Sequence, residues 1–243
     1  LRTGLNKAMS LIVFYVPIIG LLLFQPDFGS TAVLAGTLIA MFAVVGVPLM
    51  QFVVMVLFLV VGGVIVIITS DYRIQRVTSF INPHDDPMGE DYQLLRSLIA
   101  FARGEVTGVG YGNSVQKLEH LPEAHTDFLL AITGEELGLV GVLFVIVLEF
   151  IVVFAIMRIS YRTLMLNQLK LSYTSFGFGV LIFGHVLINA GMNLGLLPTK
   201  GLTMPFFSYG GSSMLFSVIM IAIVLKIDRV SPYIAKAGKN NNY

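Results

Sequence analysis

The feature that most constrains this chain is a stretch without any charged side chain, from Phe28 to Ser70. A helix rises about 1.5 Å per residue and a bilayer core is about 30 Å thick, so a straight helix of this length would be about twice too long for one crossing. The stretch must therefore turn, and Gly46-Val47-Pro48 has the composition of a turn. It predicts two membrane-spanning helices, at about 30–46 and 50–69.

The rest of the chain has the same apolar character. It is 56% hydrophobic and 12% charged, with a mean hydropathy of +0.86, whereas soluble domains average about 25% charged residues. We therefore expect an all-α, polytopic integral membrane protein. Four further spans are predicted at about 8–24, 128–157, 173–196 and 206–226, which makes about six in all. The first leads directly into the next, so no cleavable signal peptide is expected. The chain has no cysteine, which excludes disulfides and thiolate metal sites.

One long polar segment, residues 71–127, separates the third and fourth predicted spans. Within it, the spacing of apolar residues predicts an amphipathic helix over Tyr92–Arg103, too short to cross the membrane and lying at its interface. The apolar side chains expected to share a face of this helix are Leu95, Leu98, Ile99 and Ala102. Glycines at 104, 108, 110 and 112 predict an irregular loop after it. We expect a single membrane domain over 1–243 that ends in a cytoplasmic tail over 228–243, of which Ser231–Tyr243 is expected to be disordered.

Charge predicts the orientation of the spans. Six spans place both termini on the same side of the membrane. The charged residues on that side are basic except for a single acid, Asp228. The basic residues on that side, with Lys226 at its border, are Arg2, Lys7, Arg158, Arg162, Lys170, Arg229, Lys236 and Lys239. The positive-inside rule puts this side in the cytoplasm, so the loop 71–127 faces outward, as do Asp27 and Lys200.

The most polar stretch of the chain is Leu118–Phe128, which carries three carboxylates and two histidines immediately before an apolar segment. A carboxylate held at a membrane edge can touch water and act as a general base on a polar substrate. Asp127 is the candidate for that role, and the alternative is a solvated loop that ends in a helix N-cap. Glu123 and His125 could hold the loop or relay a proton, with a plain turn role as the alternative.

A series of ordered motifs, covering nearly the whole chain, resembles the shape, elongation, division and sporulation (SEDS) family. The motifs are Gln25–Gly29, Tyr72–Arg76, Tyr111–Lys117, Leu121–Phe128, Gly134–Gly138, Gly195–Thr203 and Ser208–Ser213. Their residues are nearer to the family's cell-division members than to its elongation members. The resemblance implies that this chain corresponds to the C-terminal part of a roughly ten-helix fold.

The resemblance also implies an activity. A member of this family is a peptidoglycan glycosyltransferase, which joins lipid II disaccharide units into glycan strands at the outer face of the bacterial cytoplasmic membrane during septal wall synthesis. Undecaprenyl pyrophosphate is the leaving group, and the family's candidate catalytic carboxylate falls on Asp127. The implied partners are lipid II, undecaprenyl-linked glycan, a class B penicillin-binding transpeptidase, other division proteins and membrane lipid, with no nucleic acid.

The remaining candidates follow from the chemistry of the leaving group. A departing pyrophosphate needs positive charge or a divalent cation such as Mg or Mn. Arg73, Arg76 and Lys200 are candidate substrate-binding cations, and pairing with the acids of the loop is the alternative. Asp27 is a candidate metal ligand, and a helix cap is the alternative.

Other polar residues have structural alternatives too. Ser208 and Tyr209 are candidates for headgroup contact, with close helix packing as the alternative. Glu135 and Glu136 could line a cavity. Glu149 and His185 lie at membrane depth, where we expect an interior position in a satisfied structural pair, or for His185 a neutral ring.

Two rival functions remain open at this point. A lipid II flippase also has many spans and polar residues at depth, but it needs a polar path that reaches both faces. The ionisable groups here crowd one face, which favours chemistry at the outer surface. A division scaffold without catalysis is the other alternative, and it would have no need of Asp127.

Overall fold

A computed structural model of the chain describes residues 20–21, 27–69, 74, 92–118, 121–199 and 201–240. These residues form six helices and no strand, which confirms the predicted all-α class. In chain order the helices are α1 (Phe28–Val45), α2 (Leu49–Ile68), α3 (Tyr92–Gly104), α4 (Leu129–Met165), α5 (Leu169–Asn193) and α6 (Gly211–Asn240). The first predicted span lies almost wholly outside the described residues.

The apolar helices agree with the predicted membrane spans. Helices α4 and α5 are long and apolar enough to cross a bilayer, and Gly29–Val45 and Leu49–Ile65 are shorter apolar segments. The predicted turn between α1 and α2 is confirmed, since α1 ends at Gly46 with φ 76° and the N–H of Gly46 donates to the Phe42 carbonyl. A left-handed residue here is most easily a glycine, which explains the sharp reversal.

The core forms where α4 and α5 pack along each other, with α1 against α5 and α6 against both α4 and α5. Val153, Ile156, Ile182 and Val224 form its apolar centre. Near the predicted cytoplasmic end, the Ser160 hydroxyl donates to the Ser172 carbonyl at 3.0 Å, and the Ser172 hydroxyl donates to the Ser160 carbonyl at 2.9 Å. Small hydroxyl residues let two helix backbones approach closely inside a membrane.

The prediction for the last helix and the tail is wrong. Residues 201–210 are not helical, so the last helix begins later than predicted. Helix α6 then runs from Gly211 to Asn240, through Pro232 and across the segment predicted to be disordered. Asp228 explains part of this continuation, because its carboxylate accepts from the Arg162 guanidinium of α4 at 3.2 Å. The pair ties α6 to the core beyond its apolar part.

The predicted amphipathic helix is present as α3 over nearly the predicted range. Its buried residues, which the sequence did not identify, are Leu94, Ser97, Ala100 and Gly104. Small residues face α4 because the two backbones approach closely there: a Cβ on Gly104 would lie 1.8 Å from the Gly134 carbonyl oxygen. The apolar residues predicted to share a face lie on the more exposed side of α3, and Ile99 is 37% exposed. Close backbone packing, rather than side-chain hydrophobicity, chose the buried face.

Helix α4 is interrupted at Gly138, where φ is 66° and ψ is −165°. The loop after α3 supplies the hydrogen bonds that the helix lacks there. The N–H of Leu139 donates to the Glu105 carbonyl at 3.0 Å, and the Glu135 carbonyl accepts from the N–H of Val109 at 3.0 Å. The loop therefore completes the helix, and the two are held as one unit at the predicted outer end of the core.

The predicted orientation can be tested directly because the chain has no cysteine of its own. Tyr111 is 87% exposed in the loop, and Tyr161 is 60% exposed near the opposite end of α4. A Tyr111→Cys variant should react with a membrane-impermeant thiol reagent in intact spheroplasts, and Tyr161→Cys only after the membrane is broken. The reverse pattern would invert the topology and remove the outer-face site.

Candidate functional site

Asp127 lies at the outer end of the core, two residues before α4 begins at Leu129. Its carboxylate is partly buried, and a Cβ placed on Gly201 would lie 3.3 Å from its Oδ2 atom. Two segments far apart in sequence, the α4 entry and the chain after α5, therefore meet at this carboxylate. Within the described residues no hydrogen bond to the carboxylate itself is found, which leaves it able to accept one from a substrate.

Burial raises the pKa of the Asp127 carboxyl to about 6, and the nearby Glu123 carboxylate adds to the rise. Both causes disfavour the negative charge, the first by removing water and the second by repulsion. A carboxylate with a pKa near 6 is still mostly ionised at neutral pH and is a stronger base than an ordinary Asp. These are the properties of a general base that works near pH 7.

The loop before Asp127 is shaped by Glu123, whose φ is 55°. Its carboxylate accepts from the Thr126 hydroxyl at 2.7 Å, and its carbonyl accepts from the N–H of Phe128 at 3.2 Å. His125 is exposed, and its carbonyl accepts from the N–H of Tyr209 at 3.1 Å. The turn roles named for Glu123 and His125 are therefore observed, while contact with substrate stays a prediction for both.

The segment 201–210 brings a second set of candidates to the same place. The buried Ser208 hydroxyl accepts from the N–H of Met204 at 2.9 Å, so Ser208 shapes a turn ahead of α6. Neither Ser208 nor Tyr209 lies within a helix, so the close helix packing proposed for them is not found. The Tyr209 ring is 78% exposed beside the loop that carries Asp127, where it is free to contact a substrate.

The predicted cations Arg73, Arg76 and Lys200 lie outside the described residues. Gly201, the sequence neighbour of Lys200, is the residue that lies against the Asp127 carboxylate. A role for the three cations in holding the leaving group stays a prediction.

Asp27 caps α1, since its Oδ1 accepts from the N–H of Ser30 at 3.0 Å. This is the structural role that was left open for it. In the part of the chain that the structure describes, no group of three or more His, Asp or Glu residues is placed to hold a metal ion. A metal-binding role for Asp27 stays a prediction.

Glu135 and Glu136 are not among the residues that line the cavity described below, and both are held by cations of the polar segment. The Glu135 side chain is 0% exposed and accepts from the Arg103 guanidinium at 2.6 Å and from the Ser114 hydroxyl. The Glu136 carboxylate accepts from the Lys117 ammonium at 2.6 Å. Buried carboxylates need such partners, and here they anchor the loop that leads to Asp127.

Sequence reasoning missed the partners of these two acids. The backbone N–H groups of Val115 and Gln116 also donate to Glu135, both at 3.2 Å. The one available signal was the cost of two adjacent acids inside an apolar span, which requires cations or amides nearby. It could not say which of the loop's many polar groups would supply them.

The other polar residues predicted at membrane depth are buried or partly buried, as expected, but the partner expected for Glu149 is not found for one of its oxygens. Glu149 is 5% exposed, and its Oε2 atom has no hydrogen-bond partner among the described residues. The Nδ1 atom of His185 lies 2.9 Å from the Leu181 carbonyl, one turn earlier on α5. Neither residue contacts Asp127 through any hydrogen bond in this part of the chain.

A cavity of about 300 Å³ lies between α1, α5, α6 and the segment after α5. Gly201, the residue that lies against the Asp127 carboxylate, is one of its lining residues, whereas Asp127 itself is not. Its walls mix hydroxyl groups with apolar side chains: they include Ser30, His185, Thr203, Ser213 and Ser217 beside Leu181, Ile182, Phe216 and Met220. Such a lining suits a molecule with both polar and apolar parts.

Comparison with known proteins decides the family. A protein-family model for FtsW, RodA and SpoVE, described as "Cell cycle protein", matches residues 1–233. The chain belongs to this family. The SEDS resemblance and its division-type motifs are thereby confirmed, and Asp127 lies in a segment that the family model covers.

Individual relatives agree. The chain is 44% identical over 225 residues to the probable peptidoglycan glycosyltransferase FtsW of Acinetobacter baylyi, covering 93% of this chain and 56% of that protein. It is 49% identical over 209 residues to the protein of the same description in Coxiella burnetii, covering 86% and 56%. The chain thus spans about half the length of the curated relatives it matches.

Solved structures share the fold. A chain in the structure of a peptidoglycan synthase complex matches with a TM-score of 0.67 and 27% identity, over 89% of this chain and 60% of that one. The rod shape determining protein RodA of Thermus thermophilus matches with a TM-score of 0.57 and 25% identity, over 88% and 54%. These neighbours are SEDS proteins, which fits the all-helical membrane architecture described above.

Proposed function

We propose that this protein is a peptidoglycan glycosyltransferase that polymerises lipid II at the outer face of the bacterial cytoplasmic membrane. The observation that carries the proposal is the position of Asp127, a partly buried carboxylate whose pKa is raised to about 6 and which lies against Gly201, a lining residue of the cavity of mixed polarity. The names of the FtsW relatives support the same activity. A lipid-linked sugar has the apolar and polar parts that the cavity lining suits.

The proposed chemistry uses Asp127 as a general base. The 4-hydroxyl of the acceptor sugar attacks the anomeric carbon of the donor, a new glycosidic bond forms, and the bond from that carbon to the pyrophosphate of undecaprenol breaks. The Asp127 carboxylate takes the hydroxyl proton, and the electron pair of the broken bond leaves on the pyrophosphate. A positioned base of this kind typically contributes about 10²–10⁴-fold in rate.

The same proposal extends to partners and place. A solved relative belongs to a peptidoglycan synthase complex, which supports a class B penicillin-binding transpeptidase as partner. The division-type motifs support a location at the septum together with other division proteins. A divalent cation, Mg or Mn, would neutralise the departing pyrophosphate when bound.

The test of the activity is polymerisation of purified lipid II in detergent by the protein as its gene encodes it, with and without the transpeptidase partner. Glycan strands should form, because a detergent solution has no second side to which a flippase could move its substrate. The flippase would be established instead if no polymer formed under any of these conditions and the protein moved lipid II from one leaflet to the other in sealed vesicles.

The leaving-group cations give a second prediction. Arg73→Ala, Arg76→Ala and Lys200→Ala should each lower lipid II turnover while expression stays normal, because an unneutralised pyrophosphate leaves more slowly. Arg158→Ala is the matched control, since it removes an exposed cation from the other end of α4. If all three variants turned over lipid II as fast as the control, Arg73, Arg76 and Lys200 would not bind the leaving group, and pairing with the acids of the loop would be their role.

The raised pKa of Asp127 gives a third prediction, on pH dependence. A base works only when ionised, so polymerisation should be near full above about pH 7 and fall as the pH drops through about 6. Glu123→Gln removes the carboxylate that adds to the rise, so the midpoint should move to lower pH. Glu105→Gln, an exposed acid of the loop that is not among the causes of the shift, should leave the midpoint in place. If Glu123→Gln left the midpoint of the pH profile unchanged, the assignment of Asp127 as the titrating base would be contradicted.

A further inference from the structure

Two buried asparagines of α5 hold the backbone of Asp127. Asn189 and Asn193 lie one helical turn apart on the same face and are 1% and 0% exposed. The Nδ2 atom of each donates a hydrogen bond of 2.9 Å to the Asp127 carbonyl oxygen. Burying an amide is costly unless its hydrogen bonds are satisfied, and both of these amides are satisfied by the same carbonyl.

Asn193 stands in place of a missing helical bond. In a regular helix the N–H of Ala131 would donate to the Asp127 carbonyl four residues earlier. Here the N–H of Ala131 lies 3.1 Å from Asn193 Oδ1 and 3.0 Å from the Phe128 carbonyl, while the Asp127 carbonyl accepts from Asn193 Nδ2. The carboxamide therefore bridges both ends of the absent bond and keeps Asp127 outside the first turn of α4.

The orientation of this amide follows from its partners. The Ala131 N–H can only donate and the Asp127 carbonyl can only accept, so the Asn193 oxygen and nitrogen each have one possible place. A side chain without both a donor and an acceptor, about the size of asparagine, could not make this bridge.

Asn189 links Asp127 to the segment that faces its carboxylate. The Nδ2 atom of Asn189 donates to the Leu202 carbonyl as well as to the Asp127 carbonyl. Gly201, next to Leu202, is the residue whose Cβ position lies 3.3 Å from the Asp127 Oδ2 atom. One amide group thereby fixes the spacing between the carboxylate and the chain that borders it on the cavity side.

The hydrogen-bond network also reaches helix α3. The Ser97 hydroxyl of α3 donates to the Asn193 carbonyl at 2.8 Å, and this hydroxyl is fully buried. The entry to α4, the end of α5, the segment after it and α3 are therefore joined through two side chains. None of these bonds reaches the carboxylate oxygens, so the network sets where the carboxylate stands and leaves its proton-accepting atoms free.

We propose that Asn189 and Asn193 are positioning residues for the carboxylate of Asp127, acting through its backbone. The inference rests on the proposed role of Asp127 as general base. Misplacement of a catalytic group by about 1 Å can cost about 10²-fold in rate, so an anchor on the backbone carbonyl of the same residue that carries the carboxylate controls kcat.

The test compares Asn189→Leu and Asn193→Leu with the unchanged protein, each made in the protein as its gene encodes it. Leucine is close to asparagine in size but cannot donate or accept. We expect kcat for lipid II polymerisation to fall about 10–10²-fold, with KM unchanged within a factor of about two. Ser172→Ala is the matched control: it removes a buried hydrogen bond near the other end of α5 and should leave kcat per folded molecule unchanged.

A double-mutant comparison separates positioning from general damage. In an Asp127→Asn background, Asn189→Leu and Asn193→Leu should cause almost no further loss of the polymerisation rate that remains. The reason is that they act only through the carboxylate, which is already lost. The inference is wrong if the leucine variants lower the rate equally in both backgrounds, or if their kcat per folded molecule equals that of Ser172→Ala. Normal polymerisation by Asp127→Asn alone would instead refute the proposed function on which the inference rests.

A second variant keeps the test decisive if the leucine proteins do not accumulate. Gly201→Ala leaves both amides intact but places a methyl group 3.3 Å from the Asp127 Oδ2 atom, which must then move by a few tenths of an ångström. We expect a several-fold fall in kcat with an unchanged melting temperature. A kcat equal to that of the unchanged protein would show that the position of the carboxylate does not limit the rate, and it would overturn the inference.

Discussion

Asp127→Asn should abolish glycan polymerisation while the protein still folds, reaches the membrane and binds its transpeptidase partner. The substitution keeps the size and shape of the side chain but leaves nothing that accepts a proton at neutral pH. The expected loss is of order 10²-fold or more, the range for removal of a general base. It should be measured as the rate of lipid II polymerisation in detergent, per molecule of folded protein.

The control is Asp127→Glu, which keeps a carboxylate but displaces it by one methylene group. It should retain a little activity, because catalysis is sensitive to errors of about 1 Å. A capping role for Asp127 predicts a different result, since Asn caps a helix almost as well as Asp does. Near-normal polymerisation by Asp127→Asn would therefore refute the assignment of the base and favour the flippase or the scaffold.

Gly138→Ala should have the largest effect on the folded state. A Cβ at Gly138 would lie 2.4 Å from the Val106 carbonyl oxygen, and φ is 66° there, so both the space and the backbone conformation exclude it. Backbone atoms on both sides form the contact, and no flexible side chain can move away. We expect a loss of about 3–5 kcal/mol of stability, which is at the upper end for a single substitution.

The effect would be measured as accumulation in the membrane and as melting temperature in detergent. Gly62→Ala is the matched control, because a Cβ there meets nothing within 4 Å and alanine favours a helix over glycine. The control should accumulate normally. Normal accumulation of Gly138→Ala would mean that the loop 105–110 does not complete α4 in the folded protein.

Several features of the fold could be predicted from the sequence because they depend on local composition. The charge-free run from Phe28 to Ser70 required apolar helices with a turn between them, and the structure places that turn at Gly46. The polar stretch before an apolar segment marked Asp127, whose pKa and cavity then supported the choice. Hydrophobicity acts on each segment almost independently of its neighbours, so it can be inferred before any packing is known.

What the sequence did not predict depends on contacts between distant segments. The buried face of α3 carries Gly104, which lies against α4, and Ser97, which donates to the Asn193 carbonyl of α5, and apolar periodicity does not record either contact. The length of α6 likewise exceeds the prediction, and its Asp228 pairs with Arg162, 66 residues away in the sequence. A rule based on helical spacing within one segment cannot include a partner outside it.

The sequence by itself determined that this chain is a helical membrane protein with a polar outer segment and one outstanding carboxylate at its edge. Only the tertiary structure decided what holds that carboxylate. Asn189 and Asn193 lie 62 and 66 residues from Asp127, and their significance appears only when α5 packs beside the entry to α4. The physical reason is that burial follows from composition, whereas a hydrogen bond needs two groups within about 3 Å in the correct orientation, which the packed fold alone provides.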